Sequence, residues 1–254
     1  MSGHSKWATI KHKKGAADAK KGRVFTKLIK EITIAARMGG GDANGNPRLR
    51  TAVAAAKNAN MPNDNIDRAI KKGTGELEGV SYEDCIYEGF GPAGVAVLVE
   101  VVTDNKNRTT SEIRKVWERF NGNMGVQGCV SHMFTRRGYL ELEQGGKAED
   151  DIMSDALDLG AEDVLTEEGS FVVYTKSNPN ELNTIKEGLE KKGWKVTEAK
   201  LSMIPQNSIS LEKQKEAESM LKLFEALEEY DDTQNVYANF DIPDEVLKAI
   251  EQAE

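Results

Sequence analysis

The chain has 254 residues, 39% hydrophobic and 30% charged, with a formal net charge of −8. That length buries a core easily and allows roughly two ordinary domains, whereas 6% aromatic content argues against several base-stacking platforms. The longest apolar run, Val95 to Val99, stops at Glu100 and is too short to span a bilayer, and two cysteines make no disulfide framework. With no basic-then-apolar leader at the N-terminus, a soluble, cytoplasmic protein is expected.

Charge is unevenly placed. Met1 to Gly40 carries ten Lys/Arg (Lys6, Lys11, Lys13, Lys14, Lys20, Lys21, Arg23, Lys27, Lys30, Arg37) against Asp18 and Glu31, net +8. Residues 1–80 hold sixteen Lys/Arg and seven Asp/Glu, and residues 81–254 hold eighteen and thirty-five. Such asymmetry points to a polyanion gripped at one end, with the acidic remainder held away from it.

Residues 2–22 show no sustained apolar period and carry glycines at 3, 15 and 22, which predicts an arm that stays mobile until it meets a partner. A helix follows over 23–38, with Phe25, Leu28, Ile29, Ile32, Ala35 and Ala36 on its apolar face. Arg23, Lys27, Lys30 and Arg37 fall on the other face and predict a cationic ridge. Asn46 and Pro47 start a second helix to about Ala59, and Met61-Pro62-Asn63-Asp64 leads into a third, ended by Gly73. Three helices with short connections make a small bundle, and 73–79 reads as a linker.

The pattern then alternates. Strands 85–88 and 93–103, joined by the turn 89–92, precede a helix over 110–120, a glycine-rich loop 121–128 and an extended segment around 129–136. Residues 138–205 read β-α-β-β-α-β, the order of a ferredoxin-like unit. Helix 211–230, strand 236–240 and a short helix from Pro243 complete the chain. The predicted fold is α+β with three domains: residues 1–79, a discontinuous domain of 80–137 and 206–254, and 138–205 inserted within it.

The phosphate-binding candidates are Lys6, Lys11, His12, Lys13, Lys14, Lys20 and Lys21 with the ridge Arg23, Lys27, Lys30 and Arg37. Lysine-rich segments neutralise phosphates and release counterions, giving affinity without reading sequence. A second candidate lies at a helix start, where Lys106, Arg108 and Thr109 could contact a phosphate; equally, Thr109 and Glu112 form a capping box there. A third is the 121–128 loop, whose glycines could mean only a wide connection, or where Asn123 and an exposed Met124 could probe a partner. Cys129 and His132 have a pair's spacing but no second pair at zinc-finger distance. Neither a nucleophile elbow nor a phosphate-cradling loop is present, so no enzyme, metal, cofactor, small-molecule substrate or membrane partner is expected.

Four stretches together resemble the YebC/PmpR family: Ser2-Gly3-His4-Ser5-Lys6-Trp7 with Lys11-His12-Lys13-Lys14, the run Asn60 to Ile70, Tyr87 to Gly94, and Thr103 to Thr109. The match covers essentially the whole chain. It implies three domains around a central cavity. It also implies two activities: DNA-binding transcriptional regulation, and relief of stalled synthesis on the ribosome through ribosomal or transfer RNA, as for a mitochondrial translational activator of a cytochrome oxidase subunit.

Overall fold

The computed structural model describes residues 17–167 and 169–253, with side chains from Gly22 onward apart from 168, 251 and 253. The expected arm therefore lies mostly outside the described residues. Its last part does not: helix α1 spans Ala17–Gly39, so the chain is already helical at Ala17, ahead of the expected Arg23. Ala17, Ala19, Lys20 and Lys21 are good helix formers, and one glycine at 22 costs only about 1 kcal/mol.

Helices α2 (Pro47–Asn58) and α3 (Asn63–Thr74) pack on α1. The Asn46 side chain caps α2 by accepting from the Leu49 amide at 3.1 Å, and its own amide donates to the carbonyls of Ala35 and Gly40. Ile32, Ala35, Ala36, Leu49, Ala52, Ala56, Met61, Ile66 and Ala69 form the bundle core, with Phe25, Leu28 and Ile29 at its margin. The alanines let the backbones approach closely. At Gly73 a Cβ would run into the Thr33 carbonyl oxygen, so the crossing of α1 and α3 requires glycine.

Strands β1 (Glu83–Phe90) and β2 (Ala96–Thr103) pair antiparallel, and α4 (Lys106–Arg119) follows. A short β3 (Asn123–Met124) joins the β1 edge. After the inserted segment come the short β8 (Ile209–Ser210), α7 (Gln214–Glu229), β9 (Thr233–Ala238), β10 (Phe240–Asp241) and α8 (Asp244–Ala253). Strand β9 adds to β2, giving the order β3-β1-β2-β9. The tail thus completes a sheet begun more than a hundred residues earlier. Val97, Val99, Val101, Ile113, Trp117, Leu221, Phe224 and Leu227 are among the residues of its core.

Phe134–Gln206 is a compact unit of its own. It runs β4 (Phe134–Glu143), α5 (Glu149–Asp158), β5 (Asp163–Glu167), β6 (Ser170–Thr175), α6 (Pro179–Lys191) and β7 (Val196–Pro205). The all-antiparallel order β5-β6-β4-β7 is that of the ferredoxin-like unit. Strand β4 begins before the expected Tyr139, because Phe134 to Arg137 pair with Pro205 to Ser202 of β7. Thr135, Arg136 and Arg137 interrupt the apolar alternation there, so local pattern under-reads the strand. Leu140, Leu142, Ile152, Phe171, Val173, Ile185, Leu189 and Trp194 belong to its core.

Candidate nucleic-acid interface

Helix periodicity puts Arg23, Lys27, Lys30 and Arg37 on one side of α1, and the structure covers that side. Arg23 pairs with Glu229 at 2.9 Å, and Lys27 donates to the Glu228 carbonyl at 2.8 Å. Lys30 is buried: its ammonium lies 2.6 Å from Asp232 Oδ1 and 2.9 Å from the Asp231 carbonyl. Arg37 donates to the Ser81 hydroxyl and to the Tyr82 carbonyl. The expected ridge is therefore a seam between the bundle and the β1-β2-β9 body, buried at Lys30 and open to solvent at Arg23 and Arg37. Residues 30 and 32–36 are buried around the full helix circumference, because α1 is covered on two sides rather than one.

Asp232 organises the inner end of the seam. Besides Lys30, its carboxylate accepts from Thr109 at 2.6 Å and Thr103 at 3.0 Å. Burial would raise its pKa, but the Lys30 ammonium and the two hydroxyls outweigh that and hold it below the usual carboxylate range. Arg48, which sequence reasoning missed, clamps two carboxylates with both faces of its fork. It donates to Glu31 at 2.7 and 2.9 Å and to Asp84 at 2.8 and 2.9 Å. Those bonds, Asp84 first, push the guanidinium pKa up. The pattern was legible only as a cation near a helix start; its partners are 17 and 36 positions away.

The helix-start candidate is arranged differently from either expectation. Asn105 caps α4 by accepting from the Arg108 amide, and Thr109 is fully buried on Asp232. No capping box of Thr109 with Glu112 forms, because the helix begins at Lys106. Arg108 pairs with Asp104 at 2.6 Å and lies 3.7 Å from Asp232. A phosphate there would meet two carboxylates, and of the two candidate cations Lys106 is exposed with no ion pair to another described residue, whereas Arg108 is already paired.

The 121–128 loop is pinned from below. Buried Glu88 accepts from the amides of Gly128, Val130 and Ser131, each at 2.8 Å. Burial would raise its pKa, and the three amides reverse the shift and lower it. Met124 is half-buried against the core, so the expected exposed Met is instead packing. Asn123 is exposed, and Val126, 78% exposed, is the apolar side chain the loop presents. Lys6, Lys11, His12, Lys13 and Lys14 lie outside the described residues, as do the side chains of Lys20 and Lys21.

No helix among the described residues is long and apolar enough to cross a membrane. These features define a class: an α+β protein with a basic helical bundle clasped to an acidic body and a ferredoxin-like insertion. A family model described as "TACO1/YebC protein N-terminal domain" matches residues 5–76, and one described as "TACO1/YebC second and third domain" matches residues 82–240. The chain belongs to the TACO1/YebC family. A protein of Syntrophus aciditrophicus is 57% identical over 251 residues, covering 98% of this chain and 99% of its own. One of Geobacter sulfurreducens is 58% identical over 250 residues, covering 98% and 100%. Both are named "Probable transcriptional regulatory protein". A crystal structure of a conserved hypothetical protein from Aquifex aeolicus superposes with a TM-score of 0.84 at 49% identity, covering 95% of this chain and 98% of that one.

Proposed function

We propose that this family member is a cytoplasmic nucleic-acid-binding regulator, in the first reading a DNA-binding transcriptional regulator, with no chemistry of its own. The observation that carries the reading is the charge partition, sixteen Lys/Arg to seven acids in residues 1–80 and eighteen to thirty-five beyond. The seam consumes Arg23, Lys27, Lys30, Arg37 and Arg48. Arg50, Lys57, Arg68, Lys71 and Lys72 remain exposed on α2 and α3, with no ion pair to another described residue. These cations, with the lysines of residues 6–21, make the phosphate-contacting end, and the names of the relatives support a regulatory role. Each phosphate neutralised releases counterions, so affinity falls steeply with salt and depends little on base sequence.

Replacing Lys13 and Lys14 by Glu tests this. Duplex binding should weaken on every sequence, and the slope of log affinity against log salt should flatten by about 0.9 for each phosphate no longer neutralised. An unchanged slope defeats the reading.

A second reading, a factor that contacts ribosomal or transfer RNA to relieve stalled synthesis, is favoured by one observation. The cationic row of α1 turns inward on the seam, so it is not a helix face offered to base edges. Sedimentation of a cell extract separates the two. Co-migration with ribosomes that high salt removes favours translation, and absence from ribosomes together with saturable duplex binding favours transcription.

A further inference from the structure

Arg23, Lys27 and Lys30 stand at i, i+4 and i+7 on α1, and all three end on the last turn of α7 or the residues just after it. That end carries Glu225, Glu228, Glu229, Asp231 and Asp232. The negative end of the α7 dipole adds to them, and the carbonyls of Glu228 and Asp231 accept from the two lysines. The contacts are graded by depth. The side chains of Lys30 and Asp232 are 10% and 6% exposed, and those of Arg23 and Glu229 are 42% and 51% exposed.

We propose that the C-terminal end of α7 is a built-in competitor for phosphate. The Glu229 carboxylate and the Glu228 carbonyl occupy Arg23 and Lys27, and a nucleic-acid backbone gains this part of α1 only by displacing them. The inference rests on the nucleic-acid reading above and adds a threshold to it. An exposed ion pair is weak enough to be exchanged, while the buried Lys30–Asp232 contact keeps the bundle seated during the exchange. Weak or sparse polyanions are thereby rejected, and a dense phosphate polymer already held by the neighbouring lysines is accepted.

The test uses the full-length protein and a mixed-sequence DNA duplex, with binding measured across a salt series for the unaltered chain, Glu229→Gln, Arg23→Gln and the double variant. Glu229→Gln should tighten binding about two- to fivefold, the value of one exposed pair. Arg23→Gln alone should change affinity little, and in the double variant it should erase the gain. A gain that survives in the double variant reflects only the removal of a negative charge and overturns the proposal. If the unaltered chain binds and Glu229→Gln binds identically, this inference fails while the nucleic-acid reading stands. If neither binds, the DNA-binding reading fails and the inference, as drawn for duplex DNA, with it.

Discussion

Lys30 of the first helix and Asp232 just before the last strand of the β3-β1-β2-β9 sheet lie 2.6 Å apart and 202 positions apart in sequence. Both side chains are nearly excluded from water, so neither charge is tolerable alone. Lys30→Met should therefore cost about 3–5 kcal/mol, because it strands the Asp232 carboxylate. Chemical denaturation reads this directly. A loss under about 1 kcal/mol would mean that the Thr103 and Thr109 hydroxyls satisfy Asp232 without the ammonium.

Glu88→Gln should loosen the segment from Gly125 to Ser131 without unfolding the sheet. A carboxylate meets three amides; a carboxamide offers one oxygen and presents N–H groups to at least one amide that needs an acceptor. The expected loss is about 1.5–3 kcal/mol for each charged bond broken. Hydrogen exchange at the Gly128, Val130 and Ser131 amides should speed up. Unchanged protection there would show that the loop is held by its own packing.

The pH dependence has a definite sign. Glu88 and Asp232 are both depressed in the folded chain relative to their ordinary values near about 4. A depressed carboxylate contributes stability that is complete above its unfolded value and is lost as pH falls through the folded one. Stability should thus be flat near neutrality with respect to these groups and decline below about pH 4. The Glu88→Gln variant should decline less steeply. Parallel acid profiles for the two proteins would remove Glu88 from the account.

Arg48→Lys keeps the charge and loses the fork. One ammonium cannot give two bonds each to Glu31 and Asp84. The site is partly exposed, so the cost should be modest, about 1 kcal/mol. A double-mutant cycle with Asp84→Asn should show coupling, and strict additivity would deny the clamp.

Gly73→Ala should be costly for its size. The added carbon would collide with the Thr33 carbonyl oxygen and lie 2.7 Å from the Ala36 Cβ, so α1 and α3 must separate. Overpacking of this kind costs about 1–3 kcal/mol, even though alanine is the better helix former. A thermal midpoint that rises instead would place the crossing elsewhere.

Much of the architecture was written in local pattern. The apolar period of residues 25–36, the Asn46-Pro47 start and the βαββαβ order all stand close to their expected places, because period and capping are short-range properties. Where local pattern misled, a distant partner had intervened. Thr109 resembles a solvent-facing residue at a helix start until Asp232 reaches it, and Met124 resembles a probe until β3 pairs with β1. The sequence alone determined which cations share a face of α1, since 3.6 residues per turn leaves no choice. Only the tertiary structure decided that Arg23, Lys27 and Lys30 meet carboxylates and carbonyls some 200 positions on instead of solvent, because a helix fixes directions around its own axis and not what stands in them.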